Sequence, residues 1–186
     1  MTPVEPPRVS PPQLPPLIAL DPGDACDDES FSEALLTWSG EQASLIGADI
    51  TDSRLARLPS DHLHARRLRL AEVEVTDPSV VTLNAPRSHW RGVVIEGGSI
   101  GVLDCSGATW QNVTLQGVRI GYANLREAKL SDVTLTGCRI GTLDLAGATT
   151  TRVAVLASLV DDLDARHRTG NHLDLRGLDV VRLNRL

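Results

Sequence analysis

Asp161, Asp162, Asp164, His167 and His172 form the densest group of potential metal ligands or acid–base partners in the chain. Carboxylates and imidazoles hold a divalent cation when three or four of them converge about 2 Å from one point. His62 and His64 with Arg66, Arg67 and Arg69 make a basic stretch suited to an acidic partner. Asn84, Asp104, Asn124, Asp144, Asp164 and Asn184 recur every twenty residues. That row is either an acidic, phosphate-imitating stripe or a ladder of side-chain hydrogen bonds alternating amide with carboxylate. Arg119 and Arg139, also twenty apart, have Tyr122 nearby, and Arg and Tyr are enriched where proteins bind proteins. Cys26, Cys105 and Cys138 show no metal-ligand spacing. P-loop and dinucleotide fingerprints are both missing.

What positions these groups is a repeat. RGVVIEGGSIGVLDCSGATW, QNVTLQGVRIGYANLREAKL and SDVTLTGCRIGTLDLAGATT, residues 91–150, are one twenty-residue pattern written three times. Val93/Val113/Val133, Ile95/Leu115/Leu135 and Ile100/Ile120/Ile140 stand in columns. Beneath it lies a spacing of five that starts near residue 43, with inward candidates alternating by two and three. Residues two apart share one side of an extended strand, and the other three turn a corner. A helix is excluded for this body, because five residues advance about 500° and the apolar pairs would wander around its axis. Charge tests the register. Of the 34 charged residues in 41–186, only Arg168 and Arg185 fall on inward positions. Unrelated placement would put roughly 14 there.

Four units of five return to the same column, so four corners close a coil, and coils stack about 4.8 Å apart. Seven coils make a rod roughly 34 Å long. Gly97, Gly117, Gly137 and Gly177 recur at one corner, and Gly101, Gly121 and Gly141 at another, as expected where turns need positive φ. Pro59, Pro78 and Pro86 predict looser or bulged pairing in the early coils. Arg168 and Gly170, both nominally inward, predict a distorted or looped-out coil over 165–172. Trp90 and Trp110 share an inward column and should stack, and Cys105 and Cys138 lie too far apart to pair.

Residues 1–16 hold seven of the eleven prolines and read as a flexible, proline-rich tail with the general character of a proline-reading domain's ligand. Over 17–42, Asp27-Asp28-Glu29 followed by Phe31, Leu35, Leu36 and Trp38 predict one short amphipathic helix, roughly 28–38, capping the first coil. The repeat body is then 43–186. It ends at Asn184-Arg185-Leu186 in register and without a capping helix. The expectation is an end that packs on another copy, as an end-to-end homodimer, or a chain shorter than the complete protein. The net charge of −6 resides in residues 1–40, with seven acids and one base, while 41–186 carry 17 of each sign. A neutral body argues against direct nucleic-acid binding. No run of 18 apolar residues predicts a membrane span, and no signal peptide opens the chain, so a reduced, cytoplasmic setting is expected.

Ala123-Asn124-Leu125-Arg126-Glu127, followed by Ala128-Lys129-Leu130, resembles the A-(D/N)-L-X-X signature of pentapeptide-repeat proteins. Leu143-Asp144-Leu145-Ala146-Gly147 and Leu173-Asp174-Leu175-Arg176-Gly177 are near variants. The resemblance spans about 43–186 and implies an all-β fold, a right-handed quadrilateral parallel β-helix of about seven coils. Some members of that family imitate duplex DNA and bind DNA gyrase or topoisomerase IV, protecting it from quinolones or inhibiting it. The neutral body and the lack of a dimer-forming C-terminal helix separate this chain from that pattern.

In this register the Asp/His group points outward from different corners, and the row of Asn and Asp becomes a structural ladder. No catalytic, cofactor or metal residue is assigned, and the chain is expected not to be an enzyme. The primary expectation is a protein-binding or scaffold module presenting flat faces to a protein partner, with Arg119, Tyr122 and Arg139 as the candidate surface. A DNA-mimicking binder of type II topoisomerase is the alternative. A continuous acidic face would favour it.

Overall fold

The computed structural model describes residues 5–184. Within them the chain is an all-β parallel solenoid of about eight turns. From residue 69 onward each coil is two strands, exemplified by Thr109–Gln116 and Arg119–Asn124. The strands stack into a ten-stranded and an eight-stranded sheet, and the twenty-residue columns are the pairing register: Val93, Val113 and Val133 are successive partners. The alternation by two and three buries Val113 and Leu115, Val118 and Ile120, Ala123 and Leu125, then Ala128 and Leu130. Full burial of one such Val, Leu or Ile is worth about 1.5–3 kcal/mol.

Trp90 and Trp110 stack inside, with ring centroids 4.8 Å apart and planes 9° from parallel. All three cysteines are free and buried, and burial pushes each thiol above its ordinary range.

The expected N-terminal helix is replaced by strands. β1 (Ile18–Leu20), β2 (Ser30–Ser32) and β3 (Ala34–Thr37) place the solenoid's first coil within residues 18–37. β1 pairs with β3 in parallel, and Ala34, Leu36 and Trp38 point inward with strand periodicity. The acids in and around this stretch serve turns and the next coil instead. Asp27 Oδ1 accepts from the Ile46 amide at 2.9 Å, Asp21 Oδ1 from the Gly23 amide at 3.0 Å, and Asp28 and Glu33 sit at positive φ. Residues 5–16, the described part of the stretch expected as a flexible tail over 1–16, lie against the solenoid wall and hydrogen bond to it.

The irregularities are milder than expected. After Pro59 the strand His62–His64 has three residues, as does Gln42–Ser44 one coil earlier, where later coils have six, and its pairing with Ser79–Asn84 stays in register. The one register shift within a named pair lies between Leu36 and Thr37. The coil around 165–172 is not looped out: Thr169–Asp174 pairs in register with Thr149–Ala154. Gly170 takes φ +109°, and Arg168 turns its guanidinium onto the Thr150 hydroxyl. Arg185, the other inward charge, lies outside the described residues.

Candidate functional site

An open groove of about 530 Å³ runs along the rod on the face built by Ser79–Asn84, Ser99–Asp104, Arg119–Asn124 and Arg139–Asp144. Gly101, Gly121 and Gly141 form its floor, Val81 and Asp161 close its ends, and Ser79, Ser99, Arg119 and Arg139 make one wall. These three glycines are not in the left-handed region, unlike Gly97, Gly117 and Gly137 at φ +68°, +65° and +61°. Their reason is close approach. A Cβ on Gly121 would stand 2.5 Å from the Gly101 carbonyl oxygen, and one on Gly141 2.4 Å from that of Gly121. Removing three successive side chains leaves a trough at the corner where the chain bends without a positive-φ residue.

Arg119 and Arg139 are register partners, one coil apart, and neither makes an ion pair or side-chain hydrogen bond among the described residues. Most other arginines of the wall are spoken for: Arg54 by Glu74, Arg69 by Asp49, Arg91 by Glu72, Arg126 by Asp144, and Arg152 by Asp132. Two stacked, exposed guanidinium groups without a counter-charge repel one another and favour an external anion. Tyr122 does not join them. Its hydroxyl donates to Asp144 Oδ2 at 3.3 Å, and burial together with that carboxylate raises its pKa.

The row of Asn and Asp is structural, but mainly as corner caps. Asp104, Asn124, Asp144 and Asp164 each accept, through Oδ1, the amide two residues on, at 2.9–3.2 Å. Among the described residues a rung between coils forms once, from Asn124 Nδ2 to Asp104 Oδ1 at 3.0 Å. Asn84 Oδ1 is buried without a partner, because residue 86 is proline and has no N–H to give.

The Asp/His group does not converge. Asp164 is bidentate with Arg166, His172 Nδ1 accepts from the Glu5 amide, Asp162 faces Arg182, and Asp161 ends the groove. Among the described residues no three His, Cys, Asp or Glu side chains could hold a metal ion. His62 and His64 stack at 6.0 Å on the wall. Carboxylates occupy one column over at most three successive coils, at Glu33, Asp52 and Glu72, so no single column is acidic along the described rod. None of the described residues forms a helix long and apolar enough to cross a membrane.

Asp132, Asp164 and Asp174 are held below the ordinary carboxylate range, chiefly by side-chain hydrogen bonds from Arg152, Arg166 and Arg176. Their folded pKa values lie below the unfolded ones. The stability they add is therefore complete above the unfolded value, about 3.9, and is lost as pH falls through the folded values. The urea midpoint is expected to stay level from pH 7 to about 5 and to drop below about pH 4. Asp132→Asn should shrink that drop; a midpoint that rises on acidification contradicts the assignment.

The family model for pentapeptide repeats matches residues 104–140, in 8 copies. No curated protein matches the sequence. Two similar solved structures are trypsin-treated variants of QnrB1, a plasmid-mediated fluoroquinolone resistance protein. One shares 12% identity over 88% of this chain and 91% of that one, with a TM-score of 0.32. The other shares 16% over 88% and 90%, with a TM-score of 0.30.

Proposed function

The chain is a pentapeptide-repeat protein, and from that premise we propose that it is a non-enzymatic module that binds an acidic, extended segment of a protein partner in the glycine-floored groove. The observation that carries the reading is the pair Arg119 and Arg139, in register and uncompensated, beside a trough with no side chains on its floor. Val81 and Asp161 are four coil steps apart, about 19 Å at strand spacing, which accommodates about five or six extended residues. The two arginines favour carboxylates over the middle of the groove, while Asp161 favours a neutral or basic residue at its far end.

The test is a titration of the whole protein with a fluorescent peptide of alternating aspartate and glycine, read by anisotropy. Arg119→Ala combined with Arg139→Ala is expected to weaken binding about tenfold, equivalent to about 1.4 kcal/mol. Binding of the wild type should fall with added salt, since the charges are exposed. If the double variant binds as well as the wild type, the groove is not the site. Tyr122→Phe should leave binding unchanged, because its hydroxyl is turned to Asp144.

A further inference from the structure

Residues 5–17 carry no regular strand or helix, yet their amides are placed against the solenoid with selectivity. The Glu5 amide donates to His172 Nδ1 at 3.1 Å, and the Arg8 amide to Asp132 Oδ1 at 2.8 Å. Asn112 reads both sides of Ser10: Oδ1 accepts its amide at 2.8 Å, and Nδ2 donates to its carbonyl at 3.1 Å. The Ile18 amide then donates to the Glu33 carbonyl at 2.9 Å, where the chain enters β1.

All the receiving residues belong to one corner column. Asp52, Glu72, Gly92, Asn112, Asp132, Arg152 and His172 occupy it on successive coils, and Glu33 continues it below. Every one of them is at positive φ. Elsewhere the solenoid meets that demand with glycine at Gly97, Gly117 and Gly137 and with side chains at Arg67, Arg87, Glu127 and His167. What sets this corner apart is that three of its side chains, Asn112, Asp132 and His172, take up the amides of residues 5–10.

The spacing supports the same conclusion. From Glu5 to Ser10 the segment passes three coils, from His172 to Asn112, about 14 Å at strand spacing. Five residues of polyproline II rise about 15 Å. From Ser10 to Ile18 it descends about five more coils in eight residues, again close to 3 Å per residue. The prolines at 6, 7, 11 and 12 fall where no amide is asked for, while Glu5, Arg8 and Ser10 supply donors where the wall has acceptors. Pro12 is buried although it lies outside the coils. Arg152 fixes the Asp132 carboxylate through two bonds of 2.6 Å, so this acceptor is pre-oriented.

We propose that the corner bearing Asn112, Asp132 and His172 is a binding track for an extended proline-rich peptide, and that residues 5–17 are its intramolecular ligand, a strap clamping the late coils to the first. Coils of a solenoid otherwise touch only their neighbours, so end coils open independently. The strap links sites 102, 124 and 167 residues apart in sequence. Opening the coil of His172 therefore also disturbs contacts three coils away.

Native-state amide exchange on the full chain tests this. The amides of Glu5, Arg8 and Ser10 should exchange at least tenfold more slowly than in the free peptide of the same sequence. Asn112→Gly removes the two-point contact and suits the local φ of +56°. It should speed exchange at Arg8 and Ser10 at least fivefold, and measurably in the strand Thr169–Asp174. Ser10→Pro removes one donor, fits the extended backbone and leaves the wall untouched; it should speed Glu5 and Arg8 likewise. Peptide-like exchange of these amides in the wild type overturns the strap. Fast exchange at residues 5–10 in the variants with no change in Thr169–Asp174 keeps the track but overturns the clamp.

Discussion

Trp110→Ala is expected to lower the free energy of unfolding by about 3–5 kcal/mol, a large share of what a domain of this size has. Trp110 is fully buried, stacked on Trp90 below and followed in register by Leu130 above. In a globular core neighbouring side chains shift to fill part of a cavity. Here the backbones on either side are pinned at strand spacing by the ladder, so relaxation is limited and the cost falls toward the upper part of that range. The stacked pair adds about 0.5–1.5 kcal/mol beyond area burial. Trp110→Phe separates the contributions. It keeps a ring against Trp90 and removes an indole N–H that is buried without a partner, as those of Trp38 and Trp90 also are. An unsatisfied donor costs about 1–3 kcal/mol, so deleting it offsets part of the lost volume. Urea denaturation should rank wild type, Phe and Ala in that order, with the Phe loss under half the Ala loss. An Ala variant within about 1 kcal/mol of wild type would mean that the column does not fill the core.

The order of the coils was legible because one physical rule repeats: two inward residues, then a corner. Charges stay off inward positions, so the register could be checked against a property other than hydrophobicity. The first coil escaped because it does not keep the period. The Ala34 amide donates to the Ser53 hydroxyl, nineteen residues on, and the pairing slips between Leu36 and Thr37. A broken five-residue spacing left Phe31, Leu35 and Trp38 at distances that a helix also explains. The strap was illegible for another reason. A polyproline segment has no periodic apolar signal, and its partners are more than a hundred residues away. What the sequence does hold is the match between donors at Glu5, Arg8 and Ser10 and side chains retained at positive φ; that signal becomes visible once the corner is known. At the groove, column spacing alone put Arg119 and Arg139 side by side, whereas it did not show where the Tyr122 hydroxyl turns. Asp144, two residues beyond Thr142, the column neighbour of Tyr122, captures the hydroxyl. The glycines were read as positive-φ residues, which holds for Gly117 and not for Gly121. Sequence records that a residue is glycine without recording whether φ or a neighbouring carbonyl excludes the side chain.

That distinction gives the other large effect, Gly121→Ala. The added Cβ would meet a backbone oxygen at 2.5 Å, below any ordinary contact, and a backbone atom cannot rotate away as a side-chain tip can. Gly121 is the middle of three, with the backbones of Gly101 and Gly141 in register on both sides, so the strand must move as a unit or lose a rung. Overpacking of this kind costs about 1–3 kcal/mol. At Gly117 a Cβ meets nothing within 4 Å and φ alone, +65°, resists substitution. Asparagine tolerates that region, so Gly117→Asn should cost clearly less than Gly121→Ala. The two substitutions also differ in function. Gly121→Ala raises the groove floor between Arg119 and Arg139 and should weaken the acidic peptide even where the protein remains folded, whereas Gly117→Asn lies at another corner and should not. Equal stabilities for the two variants would remove the close-approach explanation. Full peptide affinity in a folded Gly121→Ala protein would place the ligand off the glycine floor, and with it the case for this groove would rest on the arginines alone.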